Sequence, residues 1–294
     1  MSPILVLGEA LVDEFHDGAV AGGAPFNVAR SLAALGAPVR FVSRIGAGDA
    51  AGRIVLDSAA RFGLAVDSIQ RDAVRATGRV SVHEDGDGHR FEIHADAAWD
   101  HLEAPAPGDT GIVYFGSLAQ RHPVTRAALR AAVKRAVGPK LLDLNLRPGT
   151  DIPALAAESL MLADWVKINE DELDRLQDWF EPDLPALMAR FAVQRLVVTR
   201  GEAGYALYGE RGELLLSGEG VAQSAFVDSV GAGDSFTAML LAGLSLHRDL
   251  PATLRLANRY AAMICGVRGP LPSDPLALAS WRNALHALPA QDRT

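Results

Sequence analysis

Short runs of β-forming residues recur through the chain: Ile4 to Leu7, Ile112 to Phe115, Leu141 to Leu144, Trp165 to Ile168 and Leu196 to Thr199. Several are apolar at consecutive positions, with none of the alternation that a strand wetted on one face requires. A strand reads this way when both of its faces are covered, the condition of a parallel sheet flanked by helices. Parallel neighbours need long crossovers, and helical patterns fill the gaps between the runs. Pro25 to Leu35 opens on proline and is followed by Gly36, and Pro123 to Val137 repeats apolar residues at helical spacing. The chain is thereby predicted to be α/β, with a mostly parallel central sheet.

Residues 66 to 102 depart from that pattern. Arg79 to His83 and His89 to His94 alternate polar with apolar residues around Glu84-Asp85-Gly86-Asp87-Gly88, which predicts an antiparallel hairpin. It fits either a small sheet standing off the main body as a lid or an edge hairpin of the main sheet. The 294 residues, 49% hydrophobic and 22% charged, are enough for one α/β domain spanning 1–294. The net charge of −8, with no long block of either sign, argues against a nucleic-acid partner. The single cysteine, Cys265, lies in the apolar run Ala261-Ala262-Met263-Ile264 and reads as a small buried hydrophobe. Only four large apolar residues precede Glu9, too few for a signal peptide, and no run reaches the ~18 residues of a membrane span; a cytoplasmic location is expected.

Polar residues gather where strands end, the side of an open α/β sheet on which ligands bind. Asp228-Ser229-Val230-Gly231-Ala232-Gly233-Asp234 precedes a helical pattern that starts from Phe236. A glycine-rich helix N-terminus exposes backbone donors and the positive end of a dipole, so it suits a phosphate. Asp234 there fits two roles, a capping residue or a base. Gly46-Ala47-Gly48-Asp49-Ala50-Ala51-Gly52 repeats the theme and fits a dinucleotide loop only with altered spacing. Near the N-terminus, Gly8-Glu9-Ala10-Leu11-Val12-Asp13 leaves the first strand and Gly22-Gly23-Ala24-Pro25-Phe26-Asn27 opens the first helix. Asp13 and Asn27 fit either a pair gripping neighbouring hydroxyls or a turn residue and a solvent-facing amide. Asp143-Leu144-Asn145-Leu146-Arg147 and Lys167-Ile168-Asn169-Glu170-Asp171-Glu172 carry polar groups to the same side. His83, His89, His94 and His101 show no metal-ligand spacing.

Taken together these motifs resemble the ribokinase-like (PfkB) carbohydrate kinases across essentially the whole chain. Asp228 to Phe236 is similar to the family's C-terminal signature, Gly22 to Ala29 to its N-terminal glycine motif, and Asn169 to Glu172 to its N-x-x-E motif. The Gly-Gly-Ala-Pro form and the Asp-Leu-Asn-Leu-Arg-Pro run look most like bacterial fructokinases. The resemblance implies a three-layer fold with a small β lid from about residues 10–20 and 76–96. It also implies ATP-dependent phosphorylation of a sugar hydroxyl with Mg²⁺ and K⁺. Asp234 would be the general base and the amides of Gly231, Ala232 and Gly233 the anion hole, with Arg147 near the transferring phosphate. Asp13, Gly22, Gly23, Asn27 and His94 would meet the sugar. Asn169 and Glu172 would organise Mg²⁺, and Thr199, Gly201 and Asn258 would meet ATP. Asp228, Val230, Val267, Gly269 and Ser273 would surround the monovalent cation.

The chain departs from the fructokinase pattern at His94, where arginine is frequent, and at Pro270, where alanine is frequent. Alternatives within the family are 2-keto-3-deoxygluconate, ribose or a nucleoside as acceptor. Outside it they are a dinucleotide-dependent oxidoreductase, resting only on Gly46, Gly48 and Gly52, and a non-catalytic sugar sensor. An exposed lid also predicts a homodimer that shields its edge.

Overall fold

A computed structural model describes residues 2–16, 18–85, 88–106, 108, 110–221 and 226–291, with side chains outside 83–91. The first part of the chain forms β1 (Ile4–Leu7), β2 (Leu11–Phe15), β3 (Gly18–Gly22), α1 (Ala24–Ala34), β4 (Val39–Gly46), α2 (Ala50–Arg61), β5 (Ile69–Asp72), β6 (Gly78–Asp85) and β7 (Gly88–Ile93). It continues through β8 (Val113–Gly116), α3 (Pro123–Arg135), β9 (Lys140–Asp143), α4 (Pro153–Leu160), β10 (Trp165–Asn169), α5 (Glu170–Trp179), α6 (Leu184–Phe191) and β11 (Arg195–Thr199). The last elements are β12 (Tyr205–Tyr208), β13 (Leu214–Gly218), α7 (Ala232–Ser245), α8 (Leu250–Ile264) and α9 (Ala279–His286).

Nine strands form one sheet in the order β13-β12-β11-β10-β9-β8-β1-β4-β5. All neighbours from β11 to β5 are parallel, and the antiparallel pairings of this sheet are β11 with β12 and β12 with β13. In β1, Ile4 and Val6 enter one hydrophobic core with α1, α2, α7, α8 and α9, while Leu5 and Leu7 enter the other with α3, α4, α5 and α6. That double burial is why the run shows no alternation.

The predicted hairpin is present as β6 and β7, although its turn residues Gly86 and Asp87 lie outside the described residues. It belongs to a separate four-stranded sheet, β3-β2-β6-β7, so the edge-hairpin alternative does not hold. The reason lies in the partner: β6 pairs in parallel with β2, a strand just after β1, and is never reached by the main sheet. The helix after Pro123 ends at Arg135, two positions short of the predicted Val137, because Ala136 turns to extended backbone.

Candidate active site

Helix α7 is the centre of the site. Its N-cap, Gly231, has a φ of +78° and makes no side-chain cap. A Cβ there would lie 2.4 Å from Pro270 Cα, so the position demands glycine on both counts. The first i→i−4 bond runs from Ser235 N–H to Gly231 O at 2.8 Å, which leaves the amides of Gly233 and Asp234 in need of partners from outside the helix. The Ala232 amide is already engaged, donating to Ser229 O at 3.2 Å.

Asp234 does not cap its own helix. Its Oδ2 accepts from Asn27 Nδ2 at 2.8 Å across 207 residues of sequence. Asn27, only 6% exposed, is therefore neither loose nor solvent-facing. Its Oδ1 in turn takes Arg30 Nη2 at 2.5 Å, and Arg30 is fixed by Ala21 O at 3.1 Å and Ser58 Oγ at 2.7 Å. Two glycines let the chain close around this network. A Cβ at Gly22 would fall 2.1 Å from Asp13 Oδ2, and one at Gly23, whose φ is +101°, 2.8 Å from Glu9 O.

The carboxyls of Asp13, Asp234 and Glu9 share this space and feel it. Burial raises Asp234 to about 6, with the Asp143 charge adding to the rise and the Asn27 bond and Lys167 and Arg147 charges opposing it. Burial likewise raises Asp13 to about 6, against the pull of Arg30 and Arg147. Glu9 is 2% exposed, its Oε2 has no hydrogen-bond partner among the described residues, and burial together with the Asp234 charge takes it to about 8. Arg147 is exposed on the loop after β9, and its charge is felt by all three.

Beneath α7, Asp143 and Lys167 pair in the sheet, with Nζ 3.2 Å from Oδ1. Burial alone would lower the Lys167 ammonium, but the charges of Asp143, Glu172 and Asp234 outweigh it and hold it above its ordinary range. The N-x-x-E motif is a capping box: Asn169 Oδ1 accepts from Glu172 N–H at 2.8 Å and Glu172 Oε2 from Asn169 N–H at 3.0 Å. Glu172 Oε1 also accepts from Leu146 N–H at 2.7 Å, anchoring the loop that carries Arg147.

On the other side of the α7 N-terminus lies a cavity of about 230 Å³. Thr199, Gly201, Ala232, Gly233 and Asn258 line it together, so the residues expected at ATP and at the anion hole share one wall. Cys265 lines it too and is half-buried, which corrects its reading as a core residue. The run around Cys265 is apolar because one side of it, Ile264 with Ala261 and Met263, packs in the core while Ala262 and Cys265 edge the pocket. Asp228 ties two loops at the cavity rim, its Oδ1 accepting from Val230 N–H at 3.0 Å and its Oδ2 from Gly269 N–H at 3.4 Å. His94 is engaged elsewhere: its Nε2 meets Ser81 Oγ at 2.8 Å and its carbonyl accepts from Arg121 at 2.6 Å.

The second glycine loop is filled from within. Asp49 caps α2, accepting from Gly52 N–H at 2.5 Å, Thr77 N–H at 2.7 Å and Thr77 Oγ1 at 2.8 Å. A carboxylate already sits where a dinucleotide phosphate would have to, which removes the basis for the oxidoreductase reading. Asp49→Ala is expected to cost about 2 kcal/mol, from the lost cap, with activity unchanged within about threefold. Denaturant midpoints and turnover measured together would contradict this if turnover fell while stability held.

Glu9, Arg30 and Thr237 belong to the site without having been singled out from sequence. The available signal was charge in covered places, as with Lys167 inside Trp165-Val166-Lys167-Ile168 and Asp143 closing Leu141-Leu142.

The fold and the sequence as a whole are similar to those of known proteins. A fructokinase of Klebsiella pneumoniae is 32% identical over 300 residues, covering 92% of this chain and 96% of that one. The structure of an aminoimidazole riboside kinase from Salmonella enterica, complexed with aminoimidazole riboside and an ATP analog, matches with a TM-score of 0.81 at 26% identity, covering 95% of this chain and 99% of its own. A Vibrio cholerae fructokinase variant, in a fructose, ADP and potassium ion bound form, matches with a TM-score of 0.80 at 26% identity over 96% of this chain and 98% of its own. The model of the pfkB family carbohydrate kinases matches residues 6–276. On that match and on the fold, the chain belongs to the pfkB family of carbohydrate kinases.

Proposed function

We propose that this kinase transfers the γ-phosphoryl group of ATP to a hydroxyl of a small sugar, with fructose the first candidate. The observation that carries the reading is the 2.8 Å bond from Asn27 to Asp234, which joins the network of Asp13, Gly22, Gly23 and Arg30 to the helix end facing the cavity. An acceptor in the first and a triphosphate in the second would meet at Asp234.

Asn27 holds Oδ2, so Oδ1 is the atom that receives the proton as the sugar oxygen attacks phosphorus and the bond to the departing ADP oxygen breaks. A carboxyl at about 6 is some nine-tenths ionised at neutral pH and still basic enough to accept. Gly233 and Asp234 amides stabilise charge on the transferring group, and Arg147 adds its own from the opposite loop. Asp13 and Asn27 orient the acceptor, and the small sheet that carries Asp13 acts as the lid that excludes water. Its edge strands, β3 and β7, offer pairing to a second copy of the chain.

Mg²⁺ favours hard oxygen donors reached through water, and Asn169 and Glu172 present such oxygens beside the loop carrying Arg147. Bound with ATP, it neutralises phosphate charge. For the monovalent cation, Asp228, the Val230 carbonyl and the Val267, Gly269 and Ser273 loop would supply the oxygens, and the bonds from the Val230 and Gly269 amides to Asp228, which tie the two loops, support that reading. Fructose in the relative's complex supports the acceptor, and aminoimidazole riboside in another keeps a riboside as the second reading.

The test is ADP release from Mg-ATP with fructose, ribose, 2-keto-3-deoxygluconate, glucose and a riboside, each with K⁺ and with tetramethylammonium. Turnover of fructose at least tenfold above the others, stimulated by K⁺, is expected. Preference for a riboside would transfer the assignment to that class. Equal rates with both cations would remove the K⁺ site.

A further inference from the structure

Three buried side chains under the first turn of α7 are not needed to hold substrate, yet they come from three different elements. Asp143 at the end of β9 is 1% exposed, Lys167 inside β10 is 7% exposed, and Thr237 one turn into α7 is fully buried. Lys167 Nζ lies 3.2 and 3.4 Å from the two Asp143 oxygens. Thr237 Oγ1 donates to Asp143 Oδ2 at 2.9 Å and also lies 3.0 Å from Gly233 O. A Cβ at Gly233 would stand only 3.0 Å from Lys167 Nζ, so the ammonium is packed directly against the second residue of the helix.

A buried ion pair is weak as a stabilising device, because desolvation of both groups offsets their attraction. Its placement gives it a use. The ammonium packs directly against Gly233, in the first turn of α7. The carboxylate reaches the helix through the Thr237 hydroxyl, which itself lies 3.0 Å from Gly233 O. The charge that touches the turn directly therefore has the sign of the helix N-terminus, where the Gly233 and Asp234 amides lie. An ammonium held in place by a carboxylate also avoids the reorganisation that a flexible surface lysine would undergo as charge develops.

We propose that Lys167 is a positioning residue for phosphoryl transfer, its ammonium fixed by Asp143 and Thr237 so that the first turn of α7 presents an enhanced positive field to the terminal phosphate of a bound nucleotide. The proposal rests on the reading that the triphosphate ends at this turn. It accounts for the glycine at 233, since a side chain there would push the ammonium away. It also accounts for charged residues in two otherwise apolar strands.

The experiment compares the parent, Lys167→Met and the double variant Lys167→Met/Asp143→Asn. Calorimetric affinities for ATP and ADP without sugar are measured beside kcat, sugar KM and the melting temperature. The single variant strands a buried carboxylate and is expected to be destabilised. The double variant removes both charges and is expected to melt near the parent while binding ATP at least tenfold more weakly, with ADP affinity changed less than threefold. Its kcat is expected to fall by about 10²-fold, with sugar KM within threefold. Parental ATP affinity and kcat in a folded double variant would overturn the proposal and leave the pair a purely structural tie. If the parent binds ATP but phosphorylates none of the sugars tested, the acceptor assignment fails while the ATP-to-ADP ratio still decides the role of Lys167.

Discussion

Asp234→Ala is expected to lower kcat by about 10²- to 10⁴-fold while leaving the fold intact and the affinity for ATP within about threefold. The size follows from the role proposed for the side chain. An alcohol is a poor nucleophile until its proton has somewhere to go, and in the proposed reading Asp234 Oδ1, left open by the Asn27 bond, is where it goes. Phosphoryl transfer otherwise relies on alignment and charge neutralisation, which on the same reading the Gly233 amide, Lys167 and Arg147 would continue to supply in the variant. Loss of a raised, buried carboxyl also relieves the folded state, so the variant should melt no lower than the parent at neutral pH. In the parent, kcat should fall as pH drops through about 6, where Asp234 takes up its proton. A variant retaining a tenth of parental kcat would exclude Asp234 as the base.

The second large effect concerns stability. Glu9 is raised from 4.5 to about 8 in the folded protein, and Asp13 and Asp234 from 3.8 to about 6. Each binds its proton more tightly when folded than when unfolded. The stability they contribute is therefore fully present below their unfolded values and is lost as pH rises through the folded ones, for Glu9 through about pH 8. Glu9→Gln mimics the protonated form, whose second polar atom is equally unpartnered. The variant is expected to match the parent only below about pH 4.5, to pull ahead progressively as pH rises, and to exceed it at pH 9 by on the order of 3–5 kcal/mol, or about 5 °C in melting temperature. Melting curves for both proteins across pH 4 to 9 measure this. Parallel curves would mean that Glu9 is ionised at little cost and that its burial is compensated.

The Glu9 result bears on the site because burial raises Glu9 and Asp234 alike. The Asp234 charge adds to the rise of Glu9, whereas Glu9 still holds its proton at the pH where Asp234 titrates and carries no charge there. Glu9→Gln is therefore expected to leave the Asp234 titration, and any activity that depends on it, unchanged.

Much of this was legible in the sequence. Ile4 to Leu7 is a strand with the predicted bounds, because a doubly covered strand announces itself by unbroken apolarity. Asn169 and Glu172 stand three apart at a helix start, the spacing of a capping box, and they form one. The signature from Gly231 to Gly233 marks the start of a helix, and its small residues Ala232 and Gly233 line the cavity there. What could not be read from periodicity is what long-range closure decides. Asn27 and Asp234 are 207 residues apart, and no local pattern says that one amide faces the other. The Asp143 and Lys167 pair depends on β9 and β10 lying side by side in register, a property of the sheet rather than of either strand. Two glycine loops of similar composition likewise differ only in what fills them: Asp49 closes the first, while the second opens on the cavity.

The most direct test of the central claim is ³¹P NMR of Mg-ATP incubated with fructose and K⁺, run with the parent and with Asp234→Ala. One sugar phosphate signal for every ADP formed, absent on the same timescale from the variant although it binds ATP, is the result this account predicts. ADP accumulating with free phosphate and no sugar ester, or the same ester formed at parental rate by the variant, would contradict it.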